Sequence, residues 1–336
     1  MSVKIVIIGA GSGFGGRLSL DILSREVLQD ATICLCDLHE GRLANVYTYV
    51  QKTIDHYNLP TKVIADSNRN KLLPGADFVI TSIATGGGAY YGHPFIDEIE
   101  IPRSFGIDQS VGDTTSIGAI FRFLRTGPVQ MQILQDIERY CPNAILLNHT
   151  NPMAMLCWLH GQKNNIKSVG LCHGIIGTNN RVCDFLGIEA EQVRYKVAGI
   201  NHLAWFLEWK YGANDVYDML RMKLSESDNE QTKQFIIDQS VRVEMLNMFG
   251  YFPTESNRHD SEYLPYWRKN SKTRADYHLV ERILTDSFSG KRDWIQDGAG
   301  SVKHGEIVRS HEYTSGIIEA ILTDVPYRFN GNVINT

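Results

Sequence analysis

Two short motifs carry residues able to do metal chemistry. Leu171-Cys172-His173-Gly174 and Gly199-Ile200-Asn201-His202 place a thiol and an imidazole thirty residues apart, each beside a run that reads as a strand. A thiolate and an imidazole suit a transition metal, yet two protein ligands do not close a coordination shell. A shell left for substrate oxygens to complete belongs to catalysis rather than to a structural metal. Each residue also has a plainer reading, Cys172 as a small buried apolar side chain and His202 as a hydrogen-bonded core histidine.

Two further segments carry polar chemistry. Asn148-His149-Thr150-Asn151-Pro152 lies between a strand-like run and a helix-like one. Asn148 there is a donor for a sugar hydroxyl or a nicotinamide ribose; equally, Asn151 caps the helix while Asn148 satisfies the turn. Arg258-His259-Asp260-Ser261-Glu262-Tyr263 sets ionisable groups of several types inside an otherwise aromatic stretch. Such a run is usually a solvated loop, but the neighbouring Tyr263-Leu264-Pro265-Tyr266-Trp267 suggests a packed pocket wall, in which a tyrosine is more often packing than base.

The elements that must position these groups read as an α/β fold. Val3 to Ile8 is a strand, followed by Gly9-Ala10-Gly11-Ser12-Gly13 and a helix over 18–28. Strands follow at 32–36, 63–65, 77–83 and 144–147, separated by helical segments, which predicts a Rossmann-like doubly wound parallel sheet. After Asn148 the pattern changes to a mixed α+β region: a helix over 152–160, a strand over 168–172, a helix over 180–186, an antiparallel pair over 193–198 and 203–209, and one helix over 231–249. A strand-like run, 326–336, ends the chain. The expected division is a dinucleotide-binding domain over 1–150 and a catalytic region over 151–336.

The glycine turn presents backbone amides at a helix N-terminus, a site for a pyrophosphate. Gly9 allows the tight turn and Gly11 the close approach of backbone to phosphate, while Phe14 stands where a third glycine is usual. Asp37, at the end of the second strand, suits the ribose diol and repels a 2′-phosphate, favouring NAD over NADP; otherwise it is an ordinary strand-end aspartate. The cofactor-binding candidates are Gly9, Gly11, Ser12, Gly13, Phe14, Asp37 and Asn148. The glycine-rich loop over 82–88 falls where the middle of the cofactor would pass, and is also simple turn chemistry.

Composition narrows the class. The 336 residues, 43% hydrophobic and 21% charged with a formal net charge of −5, describe a globular chain with interleaved charges, which argues against a nucleic-acid partner. Six scattered cysteines fit reduced thiols better than a disulfide scaffold. The apolar strand at the N-terminus leaves no room for a signal peptide, and no apolar run reaches the ~20 residues of a membrane span. A cytoplasmic enzyme is expected.

Taken in order, the glycine turn, Gln109 to Arg125, Asn148 to Met155, Leu171 to Gly174, Gly199 to His202 and Phe249 to Lys269 resemble the NAD-dependent glycoside hydrolases of family four, an exception to the two-carboxylate scheme. The resemblance implies that NAD⁺ takes hydride from C3 of the sugar, that a base then removes the acidified C2 proton, that the aglycone is eliminated, and that water adds before the hydride returns. It implies Cys172 and His202 as metal ligands, Tyr263 as the C2 base with Asp260 as second choice, and His173 as candidate acid. Asn148, Asn201 and Arg258 are the implied substrate contacts. The implied metal is Mn²⁺ or another divalent transition metal, although a thiolate ligand by itself suggests a softer ion. A tyrosinate base has a reference pKa of about 10 and needs lowering by the metal or a nearby cation.

The segments 249–256 and 198–202 look most like the α-galactosidase branch, giving an α-galactoside as the expected substrate. Glycine after Cys172-His173, where that branch commonly has serine, and Arg258, suited to a uronate carboxylate, keep an α-glucuronidase or α-galacturonidase as the alternative. The segment Asp113-Thr114-Thr115-Ser116-Ile117-Gly118 has less glycine than the family pattern. Members also usually continue beyond this chain's end, so a C-terminal truncation is one reading. A homo-oligomer, dimer or tetramer, is expected. Competing readings are a 2-hydroxy-acid dehydrogenase of the lactate or malate type and an inactive NAD-binding protein.

Overall fold

The computed structural model describes residues 2–86, 93–163, 165–226, 228–279 and 307–334. Gly87 and Gly88 of the glycine-rich loop lie outside them. The described residues fall into two compact units, one from those within Met1–Ile96, Arg122–Cys172 and Leu284–Thr336, the other from those within Asp97–Phe121 and His173–Ile283.

The first unit is built on a seven-stranded sheet: β1 (Lys4–Ile8), β2 (Thr32–Cys36), β3 (Lys62–Ala65), β4 (Phe78–Thr81), β5 (Ile145–Asn148), β6 (Ser168–Leu171) and β10 (Gly331–Asn332). Its order is β10-β6-β5-β4-β1-β2-β3. Six strands are parallel and reproduce the 3-2-1-4-5-6 order of a dinucleotide-binding sheet, as the alternation of apolar runs and helical segments predicts. The seventh, β10, pairs antiparallel with β6 and is only two residues of the strand expected over 326–336. The central strands β1 and β4 are buried along nearly their whole length, because both faces of such a sheet are covered. Between the strands, in chain order, come α1 (Gly13–Leu23), α2 (Glu40–Tyr57), α3 (Arg69–Leu72), α4 (Phe95–Ser104), α5 (Ile117–Tyr140) and α6 (Met153–Lys163). The helix expected over 18–28 stops at Leu23, and Glu26–Leu28 forms a separate 3₁₀ turn.

One buried group in this unit has no polar reward. His160, on α6, is 1% exposed, and neither ring nitrogen has a hydrogen-bond partner among the described residues. Burial disfavours the imidazolium and lowers its pKa from 6.5 to about 4. The unfolded chain therefore binds a proton that the native state refuses between those two values, so stability falls as pH drops through that window, by up to about 1.4 kcal/mol per pH unit. His160→Leu removes the titration. Urea unfolding at pH 7 and pH 5 is expected to show the wild type losing about 2 kcal/mol more than the variant; equal losses would contradict a neutral buried imidazole.

The second unit contains a three-stranded antiparallel sheet, β7 (Val193–Ile200), β8 (Leu203–Tyr211) and β9 (Asn214–Asp215), with helices α7 (Gly174–Leu186), α8 (Val216–Leu224), α9 (Glu230–Asp238), α10 (Ser240–Phe249), α11 (Asn257–Tyr263) and α12 (Ser271–Asp276). The pairing of β7 with β8 is the one expected from sequence, in register from Val193↔Tyr211 to Ile200↔Leu203. The single helix expected over 231–249 is two helices, broken at Gln239, whose backbone leaves the helical region. Phe206 and Trp209 stack in the core with ring centroids 4.1 Å apart, and the Trp209 indole N–H donates to Asn179 Oδ1 at 2.9 Å. Among the described residues no helix is long and apolar enough to cross a membrane.

Candidate active site

In the first unit the glycine turn closes between β1 and α1. Gly9 has φ +89, a conformation open to glycine, and its amide donates to Cys36 O at 2.8 Å. The Gly11 amide donates to Asp37 Oδ2 at 2.8 Å, so the carboxylate expected to meet a ribose stands against the phosphate turn. A Cβ on Gly11 would meet the Asp37 carboxyl carbon at 2.7 Å, so a side chain there would displace the Asp37 carboxylate from the turn. Ser12 caps α1 through the Gly15 amide, Gly13 opens the helix, and Phe14 packs edge-on against His149. The tight helix-to-turn packing falls instead to Gly15, where a Cβ would sit 2.4 Å from Ala10 O. A shallow pocket beside Asp37 is lined by Leu38 and residues 67–70.

At the end of β5, Asn148 is fully buried and both ends of its amide are engaged. Oδ1 accepts from Thr81 Oγ1 at 2.8 Å and from the Thr150 amide at 3.1 Å, while Nδ2 donates to Thr150 O at 3.0 Å. Asn151 accepts from the Met153 amide at 3.2 Å. These are the turn and capping roles that the sequence offers beside a sugar contact. Cys172 follows β6. It alone of the six cysteines is not buried, whereas burial pushes Cys36 and Cys157 up to about 12.

In the second unit the polar residues of three segments converge. His202 occupies the tight turn between β7 and β8 with φ +63, a left-handed conformation that disfavours a side chain by roughly 1–2 kcal/mol. Its ring is held in compensation: Nδ1 lies 2.9 Å from Thr114 Oγ1 and 3.3 Å from Asp113 Oδ1. Residues 252–254 run beside β8, with the Phe206 amide donating to Phe252 O and the Thr254 amide to Ala204 O, and so deliver α11 to the same place. From α11 the Tyr263 hydroxyl donates to Asp113 Oδ1 at 2.9 Å. His259 Nε2 approaches the same oxygen at 3.8 Å, while its Nδ1 pairs with Ser256 Oγ at 2.9 Å. Asp113, His202 and His259 bring potential ligand atoms within 4.8 Å of one another.

The loop that carries Asp113 is anchored twice. Asp108 is paired with Arg268 at 2.8 Å. The Glu262 carboxylate accepts from the amides of Ser110, Val111 and Gly112 at 2.6, 2.6 and 2.8 Å. Sequence reading passed over Asp113, Thr114, His259 and Glu262 as chemistry; their sign was the aspartate-threonine pair and the alternation of ionisable residues along α11.

Burial pushes both candidate bases toward their protonated forms. Burial and then the Asp113 charge push the Tyr263 phenol far above its ordinary value, so the isolated chain keeps it protonated. Asp260 is wholly buried, neither carboxyl oxygen has a hydrogen-bond partner among the described residues, and burial raises its pKa well above the carboxylate range against the pull of Arg242. Burial also lowers His259, with the His202 ring adding to the shift. Asn201 is buried beside His202, Arg258 is exposed on α11, and His173 is exposed at the N-terminus of α7.

A six-stranded parallel dinucleotide sheet, joined in one chain to a polar centre of histidine, aspartate and tyrosine, defines a class of enzymes that combine a nucleotide turn with acid-base residues. The model of the family 4 glycosyl hydrolases matches residues 4–188, and the model of that family's C-terminal domain matches 197–336. The alpha-galactosidase of Bacillus subtilis (strain 168) is 36% identical over 341 residues, spanning 99% of this chain and 77% of that protein. An alpha-galacturonidase of Thermoanaerobacter italicus is 33% identical over 284 residues, 79% of this chain and 60% of that one. Among solved structures, the glucosidase lplD of Bacillus subtilis superposes with a TM-score of 0.79 at 25% identity over 96% of this chain and 76% of its own. The 6-phospho-beta glucosidase of Thermotoga maritima with manganese, NAD⁺ and glucose-6-phosphate shares the fold, with a TM-score of 0.69 at 18% identity over 95% of this chain and 73% of its own. The chain belongs to the family 4 glycosyl hydrolases, and it is a glycosidase.

Proposed function

We propose that this chain is an NAD- and divalent-metal-dependent α-glycosidase that hydrolyses an α-galactoside. The observation that carries this reading is the second unit's own geometry, in which one carboxylate oxygen of Asp113 accepts from the Tyr263 hydroxyl and faces the His202 ring. The 36% identity to an alpha-galactosidase across nearly the whole chain supports the sugar. A dinucleotide fits the cradle at Gly11 and Asp37, and a divalent transition metal, Mn²⁺ by likeness to the Thermotoga protein, fits a thiol kept out of the core at Cys172 and an imidazole at His202.

When bound, the dinucleotide supplies a reversible hydride acceptor for C3, and the metal ion stabilises the negative charge that develops as C2 loses its proton. The chain's residues do the rest. Amides at the α1 N-terminus face the pyrophosphate and Asp37 receives the ribose diol. Cys172 and His202 would hold the ion. Tyr263 takes the C2 proton, His173 protonates the leaving oxygen, Asn201 and Arg258 contact the sugar, and Asn148, fully buried with its amide engaged by Thr81 and Thr150, holds the turn after β5 instead of the sugar contact the resemblance implies. Tyr263 is preferred to Asp260 as base because its hydroxyl meets Asp113 Oδ1, the oxygen that also faces the His202 ring, whereas neither Asp260 oxygen has a hydrogen-bond partner among the described residues. The free cysteines fit a reducing cytoplasm.

A second reading, an α-galacturonidase, is favoured by the exposed Arg258 guanidinium on α11, a bidentate partner for a uronate. Hydrolysis of nitrophenyl α-galactoside, α-galacturonide and α-glucuronide, each with NAD⁺, Mn²⁺ and a thiol reductant, tests both. Turnover of the galactoside that needs NAD⁺ and Mn²⁺, without net NADH, is expected. Preference for a uronide selects the second reading, and net NADH without bond cleavage rejects both in favour of a dehydrogenase.

A further inference from the structure

The polar centre of the second unit contains a proton arrangement that satisfies the mutual contacts of Asp113, Thr114 and His202. Thr114 has a single hydroxyl proton and stands 3.1 Å from Asp113 Oδ1 and 2.9 Å from His202 Nδ1. Were that proton given to Nδ1, Thr114 and Asp113 would meet as two acceptors, and the Nδ1 lone pair would face the carboxylate at 3.3 Å. Given to Asp113 instead, it leaves Nδ1–H as the donor to Thr114 Oγ1, with the carboxylate on the same side. The hydrogen-bond network therefore assigns the Nδ1–H tautomer, and Nε2 is the nitrogen that carries a lone pair for a cation. The same Asp113 Oδ1 accepts from Tyr263, and the loop that carries it is fixed by the three amides that Glu262 holds.

Building on the glycosidase reading, we infer that Asp113 is a positioning residue that serves two partners at once, setting with Thr114 the tautomer and orientation of the metal-ligating His202 and aiming the Tyr263 oxygen. Carboxylate partners of this kind orient a ligating histidine and raise its basicity, and their loss typically weakens metal binding 10–100-fold. One oxygen thus links two groups whose relative placement the reaction depends on.

Three variants separate these roles: Asp113→Ala, Thr114→Val and Tyr263→Phe. Mn²⁺ affinity without substrate is read by electron paramagnetic resonance, and the C2 deuterium isotope effect on turnover is read with labelled galactoside. Thermal melting and NAD⁺ affinity establish that each variant is folded. Asp113→Ala is expected to weaken Mn²⁺ binding about 10–100-fold and to raise the C2 isotope effect. Thr114→Val is expected to weaken Mn²⁺ binding to a lesser degree with the isotope effect unchanged, and Tyr263→Phe to leave Mn²⁺ affinity at the wild-type value. Should Asp113→Ala not fold, Thr114→Val decides the tautomer assignment by itself. Wild-type Mn²⁺ affinity and isotope effect in Asp113→Ala overturn the inference while the glycosidase reading stands. Complete loss of Mn²⁺ in Asp113→Ala with Thr114→Val unaffected also overturns it, making Asp113 a direct ligand. Failure of the wild type to bind Mn²⁺ removes both the inference and the reading beneath it.

Discussion

His202→Asn is expected to lower kcat/KM for glycoside hydrolysis by about a thousandfold or more and to abolish its response to Mn²⁺, with NAD⁺ affinity unchanged. Asparagine is the informative replacement because it tolerates the left-handed backbone that His202 occupies at φ +63, so the imidazole is removed without a second penalty in the turn. A Lewis acid at a developing negative charge contributes several kcal/mol to transition-state stabilisation, and about 4 kcal/mol corresponds to that thousandfold. The nucleotide turn, built from β1, α1 and Asp37 in the first unit, contains no group that the substitution alters. Steady-state kinetics across an Mn²⁺ titration, beside NAD⁺ binding by fluorescence, checks the prediction. Activity within tenfold of wild type would remove His202 from the metal site.

The substitution probes a site whose parts were unequally legible in the sequence. The sheet was readable because each parallel strand is buried on both faces and shows as an uninterrupted apolar run, as in Val6 to Ile8 and Phe78 to Thr81. The nucleotide turn was readable because its contacts are local: Gly11 and Asp37 are 26 residues apart, and the strand-turn-helix-strand sequence between them dictates their meeting. Gly15 illustrates the limit, since which of three closely spaced glycines packs on Ala10 depends on the turn's three-dimensional path. Helical spacing persists through Gln239, so only tertiary packing shows the break there.

Asp113 and Glu262 mark where sequence reasoning stopped for the site. Asp113 reaches Tyr263 across 150 residues and His202 across 89, and no periodicity encodes such pairs. Glu262 sat within a charge run that reads as a solvated surface, yet it is spent on three backbone amides of a distant loop. The Glu262 anchor accounts for how an irregular loop holds a carboxylate steady: three charge-assisted bonds satisfy amides that no secondary structure pairs.

Tyr263→Phe is the second substitution with a large expected effect, a loss of about 10²–10⁴ in kcat/KM, the range for removing a positioned general base. The phenol begins at a disadvantage, because burial and the Asp113 charge hold it protonated in the chain alone. Its activity as a base thus requires a cation's charge nearby, which would couple the base to a metal held at His202 and give one carboxylate oxygen a part in both. Phenylalanine keeps the ring, its packing against the His259 ring at a 6.0 Å centroid separation, and the α11 backbone, so the fold should survive. The hydrogen-bond loss leaves Asp113 with Thr114 and His202, and Mn²⁺ binding should persist. The discriminating measurement is exchange of the C2 hydrogen with D₂O during turnover, expected to fall in proportion to kcat while the C2 isotope effect rises toward its intrinsic limit. If Tyr263→Phe retains wild-type exchange and Asp260→Asn loses it, the base is Asp260, and the buried carboxyl beside Arg242 must then be released into its charged form during the reaction.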